Sequence, residues 1–281
     1  MAQLVRLCTR YRLVTLTGVG GVGKSRLALR AAAQLQAQFP DGAWLVQLSA
    51  LQHGALLGHA ISQALGLVDQ TFRPLGEVLT DYLAERRLLL VLDTCEHLVE
   101  ECAETTEMLL ETAAGLRILA TTRQSLDVPG EQVLIVGPLP VPEPATARGG
   151  RDDAVALFCD RAAEVAPDFA LTEDNRGEVA RLCRRLDGIP LAIELAAVRL
   201  RDLSVDQLAR RLDDRFALLG SAGDQATLLR HQTLRTAIGW SHELCEPQER
   251  LLWARLSVFA GSSMPMPPSR CAAMRDCPPW P

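Results

Sequence analysis

One eight-residue run limits this chain more than anything else in it: Gly18-Val-Gly-Gly-Val-Gly-Lys-Ser25. It fits G-x-x-x-x-G-K-[ST] at every fixed position, a pattern whose backbone amides and ammonium cradle phosphate oxygens. Its flanks agree with that reading. Arg12-Leu-Val-Thr-Leu-Thr17 is a short apolar, β-branched run of the kind a buried parallel strand uses. After Ser25, Leu27, Ala28, Ala31 and Leu35 recur at helical spacing until Phe39-Pro40-Asp41-Gly42 stops the pattern. Strand, glycine loop and helix together aim free N–H groups at an anion. The loop from Gly18 through Val19, Gly20, Gly21, Val22 and Gly23 to Lys24, Ser25 and Arg26 is therefore the expected phosphate site. Composition sharpens the point, because Lys24 is the only lysine among 29 Lys and Arg residues. A chain that uses arginine everywhere else keeps its one lysine where an ammonium would meet phosphate.

The rest of the N-terminal half alternates strands with helices. Strands are predicted over 43–48, 88–93, 116–121 and 132–136, and helices over 53–67, 75–86 and 96–114. That alternation predicts an α/β fold: a parallel sheet with helices on both faces, binding ligands at the carboxyl ends of its strands. Asp93 ends one such strand, where a carboxylate can hold Mg2+ through water beside the Ser25 hydroxyl, although a helix-capping role is its local rival. Thr121-Thr122-Arg123 ends the next strand, and a guanidinium there can read a γ-phosphate, a plain surface arginine being the alternative. Directly after Asp93 stands Thr94, not the glutamate many ATP hydrolases use to activate water. Glu96 is the nearest carboxylate, so slow hydrolysis is expected.

Residues 1–137 read as the nucleotide-binding domain and 138–150, rich in Pro and Gly, as a linker. An all-helical domain over 151–220 and a further region over 221–260 follow. The closing stretch 261–281 holds six of the 16 prolines and is expected to be disordered. A net charge of −5 gives no general attraction to nucleic acid. The eight cysteines lack any C-x-x-C and read as buried, reduced thiols, not as a zinc site. No signal-peptide core and no run near the roughly 18 apolar residues of a membrane span is evident, so a cytoplasmic protein is expected.

Five ordered motifs carry a family resemblance: 16–28, 88–98, 118–123, Asp-Gly-Ile-Pro-Leu-Ala-Ile-Glu-Leu-Ala-Ala (187–197) and Arg-His-Gln-Thr-Leu-Arg-Thr-Ala-Ile-Gly-Trp-Ser (230–241). Over about residues 10–261 the chain resembles the NB-ARC-like STAND ATPases of actinobacterial LuxR-type and SARP-type transcriptional regulators. The resemblance maps the phosphate-loop lysine, the Walker B aspartate and the sensor arginine onto Lys24, Asp93 and Arg123. It also maps the family's Gly-x-Pro onto Gly188 and Pro190, with the proline packing near adenine. Read alone, Gly188-Ile-Pro190 is a bend between helices. The resemblance further implies a partial winged-helix domain over 221–260, and a switch in which exchange of ADP for ATP opens the domains and permits assembly with other protein chains.

Departures from the pattern matter as well. The chain opens almost directly on its expected first strand, so no DNA-binding module is expected in it, and the winged-helix match stops at Gly261, where a truncated gene or a reading-frame change is one expectation. His97, His231 and Trp240 read as helix-start, capping and core residues. Two other functions remain in play: a P-loop phosphotransferase acting on a small molecule, and a nucleotide-binding remnant without regulatory output.

Overall fold

The computed structural model describes residues 1–67, 73–141, 152–219 and 247–256. Of the expected region 221–260 only 247–256 is described, and the tail 261–281, His231 and Trp240 lie outside the described residues. Two compact units emerge. The first holds Met1–Gly18 and Lys24–Val136; the second takes in Val19–Gly23 and the described residues from Gly137 onward.

In the first unit five parallel strands, β1 (Leu13–Thr17), β2 (Ala43–Gln47), β3 (Leu89–Asp93), β4 (Arg117–Thr121) and β5 (Glu131–Ile135), lie in the order β2-β3-β4-β1-β5. The central strands are mostly apolar and buried nearly along their length because both faces are covered. Alternation divides them between two cores. Leu13, Leu90, Leu92, Ile118 and Ala120 face a cluster with Leu57, Ile61, Leu79, Leu83, Cys102 and Leu109. Those come from α3 (Leu57–Ala64), α4 (Leu75–Leu83) and α5 (Val99–Thr112). Val14, Leu16, Leu89, Val91 and Leu119 face the other way, toward Leu4, Cys8, Ala28, Ala31 and Leu35 of α1 (Ala2–Arg10) and α2 (Lys24–Leu35).

Two local expectations change. A helix, α1, precedes the first strand; its Leu4 and Cys8, one turn apart, are buried against the sheet. The helix expected from Glu96 begins instead at Val99, with Glu100 and Glu101 in its first turn. Thr94 has already left helical geometry, at φ 69°.

The second unit contains α6 (Asp153–Val165), α7 (Glu173–Arg185), α8 (Pro190–Ala197), α9 (Val205–Leu219) and α10 (Pro247–Leu256). Phe158, Val179, Leu182, Leu186, Ile193 and Leu208 form its core. Thr172 and Asn175 close a reciprocal capping box at the start of α7. Before α6, the Leu139 N–H donates to the Gly188 carbonyl (2.9 Å) and the Ala154 N–H to the Pro140 carbonyl (3.2 Å). This proline-rich stretch thus straps onto the helical core, with Leu139 and Val141 packed against it. Gly188 has no alternative there: at φ 63°, a Cβ would collide with the Leu139 carbonyl oxygen.

Candidate functional site

Strand order decides which chemistry meets. Because β4 separates β1 from β3, the carboxyl ends of all three lie side by side: Leu16 pairs with Thr121, and Leu92 with Ala120. Polar residues begin where these apolar strands stop, and the chain turns out of each strand close to its neighbours.

At the end of β1 the loop passes through positive φ at Gly18, Gly21 and Gly23 (149°, 78° and 91°) before α2 starts at Lys24. Nothing lies within 4 Å of where a Cβ on Gly23 would sit, so backbone conformation, not space, requires glycine there. Lys24 is 8% exposed, and its Nζ donates to the Gly18 carbonyl at 2.8 Å, folding the side chain back over the loop. Burial lowers its pKa from the ordinary lysine value. Glu96 acts to raise it, Arg123 to lower it and Asp93 to raise it, so all three charges act on this ammonium. Ser25 follows, half-buried, and Arg26 is exposed. Val22 is buried. Within the second unit, the Leu191 N–H donates to the Gly21 carbonyl at 3.1 Å. Leu191 follows Pro190, which occupies the first turn of α8 where its missing N–H costs nothing.

At the end of β3, Asp93 does not cap a helix. Its Oδ1 accepts a hydrogen bond from Thr121 Oγ1 at 2.6 Å, and the same hydroxyl accepts the Thr94 N–H at 2.9 Å. The Thr121 carbonyl accepts the Cys95 N–H at 2.9 Å. Glu96 faces back across the turn, its Oε1 3.3 Å from Arg123 Nε; the arginine is about half exposed and the glutamate less so. Arg123 is therefore ion-paired, and the nearest carboxylate after Asp93 is held by it. His97, in the turn before α5, has Nε2 2.7 Å from the Leu51 carbonyl. Sequence reasoning quoted Thr121 but assigned it nothing. The signal was a polar residue closing an apolar strand beside Asp93.

An Mg2+ ion fits this donor set. The ion takes hard oxygen ligands, keeps waters and shares its shell with phosphate. Ser25 and Asp93 supply hydroxyl and carboxylate oxygens, and among the described residues no group of three His, Cys, Asp or Glu could hold a metal without such help. The five cysteines among the described residues are free thiols, four of them buried. No helix among the described residues is long and apolar enough to cross a membrane.

Comparison with known proteins agrees with this geometry. The NB-ARC domain matches residues 1–132. A Mycobacterium tuberculosis protein named as an HTH-type transcriptional regulator is 41% identical over 255 residues, covering 91% of this chain and 28% of that protein. The regulatory protein AfsR of Streptomyces coelicolor is 31% identical over 228 residues, covering 75% of this chain and 21% of AfsR. The chain thus spans about a quarter of these relatives. Among solved structures, a Pyrococcus horikoshii signal transduction ATPase with numerous domains, bearing a tetratricopeptide repeat sensor, superposes with a TM-score of 0.54 at 16% identity, over 93% of this chain and 34% of that one. Residues 1–132 thus match the NB-ARC domain on a P-loop NTPase fold, and the chain is similar over most of its length to a segment of bacterial proteins named as regulators.

Proposed function

We propose that this module is an ATP/ADP-binding switch of a cytoplasmic transcriptional regulator, one that hydrolyses ATP slowly and acts through nucleotide-controlled domain rearrangement and assembly with other protein chains. The observation that carries the proposal is the buried Lys24 ammonium, tethered to Gly18 at the mouth of a loop with three positive-φ glycines and exposed to the charges of Asp93, Glu96 and Arg123. A buried cation held against the backbone at the start of such a loop is placed to meet phosphate oxygens. In this reading, amides of Val19, Gly20, Gly21, Val22 and Gly23 surround the phosphates, Ser25 and Asp93 hold Mg2+, and Pro190 packs near the base. Bound Mg2+ would neutralise charge on the terminal phosphates.

Arg123 supplies the difference between the two nucleotide states. With ADP it keeps Glu96, and with ATP the γ-phosphate competes for it. A ligand shifts a two-state equilibrium only through such differential contacts. The absence of glutamate after Asp93 and the pairing of Glu96 both favour slow turnover. Mass measurement of nucleotide released from the purified, denatured protein tests the reading. ADP or ATP is expected from the wild type and none from Lys24→Ala. A wild type that carries no nucleotide and gives no binding heat with ADP or ATP plus Mg2+ would overturn it, as would steady-state hydrolysis at several turnovers per second.

A further inference from the structure

Two threonines stand next to each other at the end of β4, both essentially inaccessible to solvent, and they are used very differently. The Thr122 hydroxyl has no hydrogen-bond partner. The Thr121 hydroxyl has two, accepting the Thr94 N–H and donating to Asp93 Oδ1. A hydroxyl owns a single proton. Since the Thr94 amide can only donate, the Thr121 proton must go to the carboxylate, and the carboxylate must offer an acceptor oxygen there. One side chain thus commits Oδ1 of Asp93 and leaves Oδ2 for other ligands.

The backbone of Thr121 contributes as well, since its carbonyl takes the Cys95 N–H. Two successive amides after Asp93 are bound by one residue of the neighbouring strand. Between them Thr94, a β-branched residue, sits at φ 69°, where such side chains are rarely found. Strain of this kind persists where surrounding contacts over-determine it. The chain reversal after Asp93 is therefore built to be held by Thr121.

We infer that Thr121 is a positioning residue of the nucleotide site: it fixes the Asp93 carboxylate so that Oδ2 is presented to the water shell of Mg2+. The inference rests on the nucleotide-binding reading above and concerns the metal-dependent part of binding alone. Ser25 and the loop amides act on the phosphates directly, whereas Thr121 acts only through Asp93.

The test measures ADP affinity of the full chain by calorimetry in excess Mg2+ and again in EDTA, and compares the ratio of the two. Thr121→Val keeps shape but lacks the hydroxyl, and its ratio is expected to fall about tenfold or more, the scale of one charge-assisted hydrogen bond, with the EDTA affinity unchanged. Thr121→Ser restores the donor and should restore the ratio. Thr122→Val, which removes an unpartnered hydroxyl, should leave it as in the wild type. If Thr121→Val does not fold, Thr121→Cys, a much weaker donor of similar size, takes its place with the same expected loss. A Thr121→Val protein that is less stable yet keeps the wild-type ratio would show a merely structural role and overturn the inference, as would a loss that Ser does not rescue. A wild type that binds no ADP in either buffer instead removes the parent reading, and this inference with it.

Discussion

The two ends of the parallel sheet use positive charge in opposite ways. At the carboxyl end, Lys24 donates to the Gly18 carbonyl and senses three nearby charges. At the amino end, Arg12 donates through its guanidinium to the carbonyls of Leu110 and Ala113 at 2.6 Å each, tying down the last turn of α5. Arg117 does the same for α1, donating to Cys8 (3.2 Å) and Tyr11 (2.7 Å). Both arginines occupy helix C-termini, where carbonyls lack partners and the dipole favours a cation. Arginine presents several fixed donors and serves as a clamp, while lysine is a compact point charge suited to phosphate oxygens. The lesson is that arginines at one end tie down helix termini, while the lysine at the other lies among charges that a bound anion would join.

Separating the two ends is the strongest way to test that contrast. Lys24→Ala should cost at least about a hundredfold in nucleotide affinity, the scale of a lost charge-assisted phosphate contact in a partly desolvated site. Its nucleotide-free melting temperature should not fall, because the desolvation cost of the buried ammonium is removed together with its contacts. Calorimetry and thermal melts on the same preparation check both halves. A destabilised Lys24→Ala would make the lysine a staple like the arginines.

The converse is Arg12→Ala. Two short guanidinium–carbonyl bonds disappear, so stability should fall by about 1.5–3 kcal/mol in denaturant titration, with nucleotide affinity unchanged once the protein is folded. A matching loss of affinity would mean that the two ends communicate through α5 and β3.

How far these distinctions were legible in the sequence depends on how local they are. The strands could be read because burial on both faces gives unbroken apolar runs, and the phosphate loop because its function is written in eight consecutive residues. Helix α1 is only nine residues long and buries just Leu4 and Cys8, too short a pattern to stand out. The start of α5 at Val99 followed from a turn held by Thr121, a residue 22 or more positions away in sequence and adjacent only because β4 lies beside β3. The pairing of Glu96 with Arg123 has the same origin. Pro138-Leu-Pro-Val141 reads locally as linker, yet the Leu139 amide is bound to Gly188, a contact no window of sequence contains. Local chemistry was readable; what one strand end does for another was not.

A smaller effect is expected within the carboxyl end. Glu96→Gln keeps size but removes the charge that holds Arg123. An exposed pair of this kind contributes about 0–1 kcal/mol, so stability should hardly change. The preference for ATP over ADP should rise by about three- to tenfold, because the guanidinium no longer has to leave a carboxylate to meet a γ-phosphate. Competition binding of the two nucleotides measures it. An unchanged preference would mean that Arg123 does not distinguish the two states.

The smallest effect belongs to the amino end and appears only in alkali. Burial raises the Cys8 thiol from 9.0 to about 11, with Arg117 acting in the opposite direction. The folded protein therefore keeps this proton at pH values where the unfolded chain has lost it. For an acid whose folded pKa is raised, the stabilisation is complete below the unfolded value and disappears as pH climbs through the folded one. Stability should decline between about pH 9 and 11 for this reason, and Cys8→Ala should flatten the decline while lowering stability at neutral pH through the lost packing. Arg117→Gln should steepen the decline, since the charge that eases thiolate formation is gone. If Arg117→Gln instead leaves the alkaline slope as it was, the guanidinium acts on the α1 carbonyls alone, and the staple is purely a matter of hydrogen bonds.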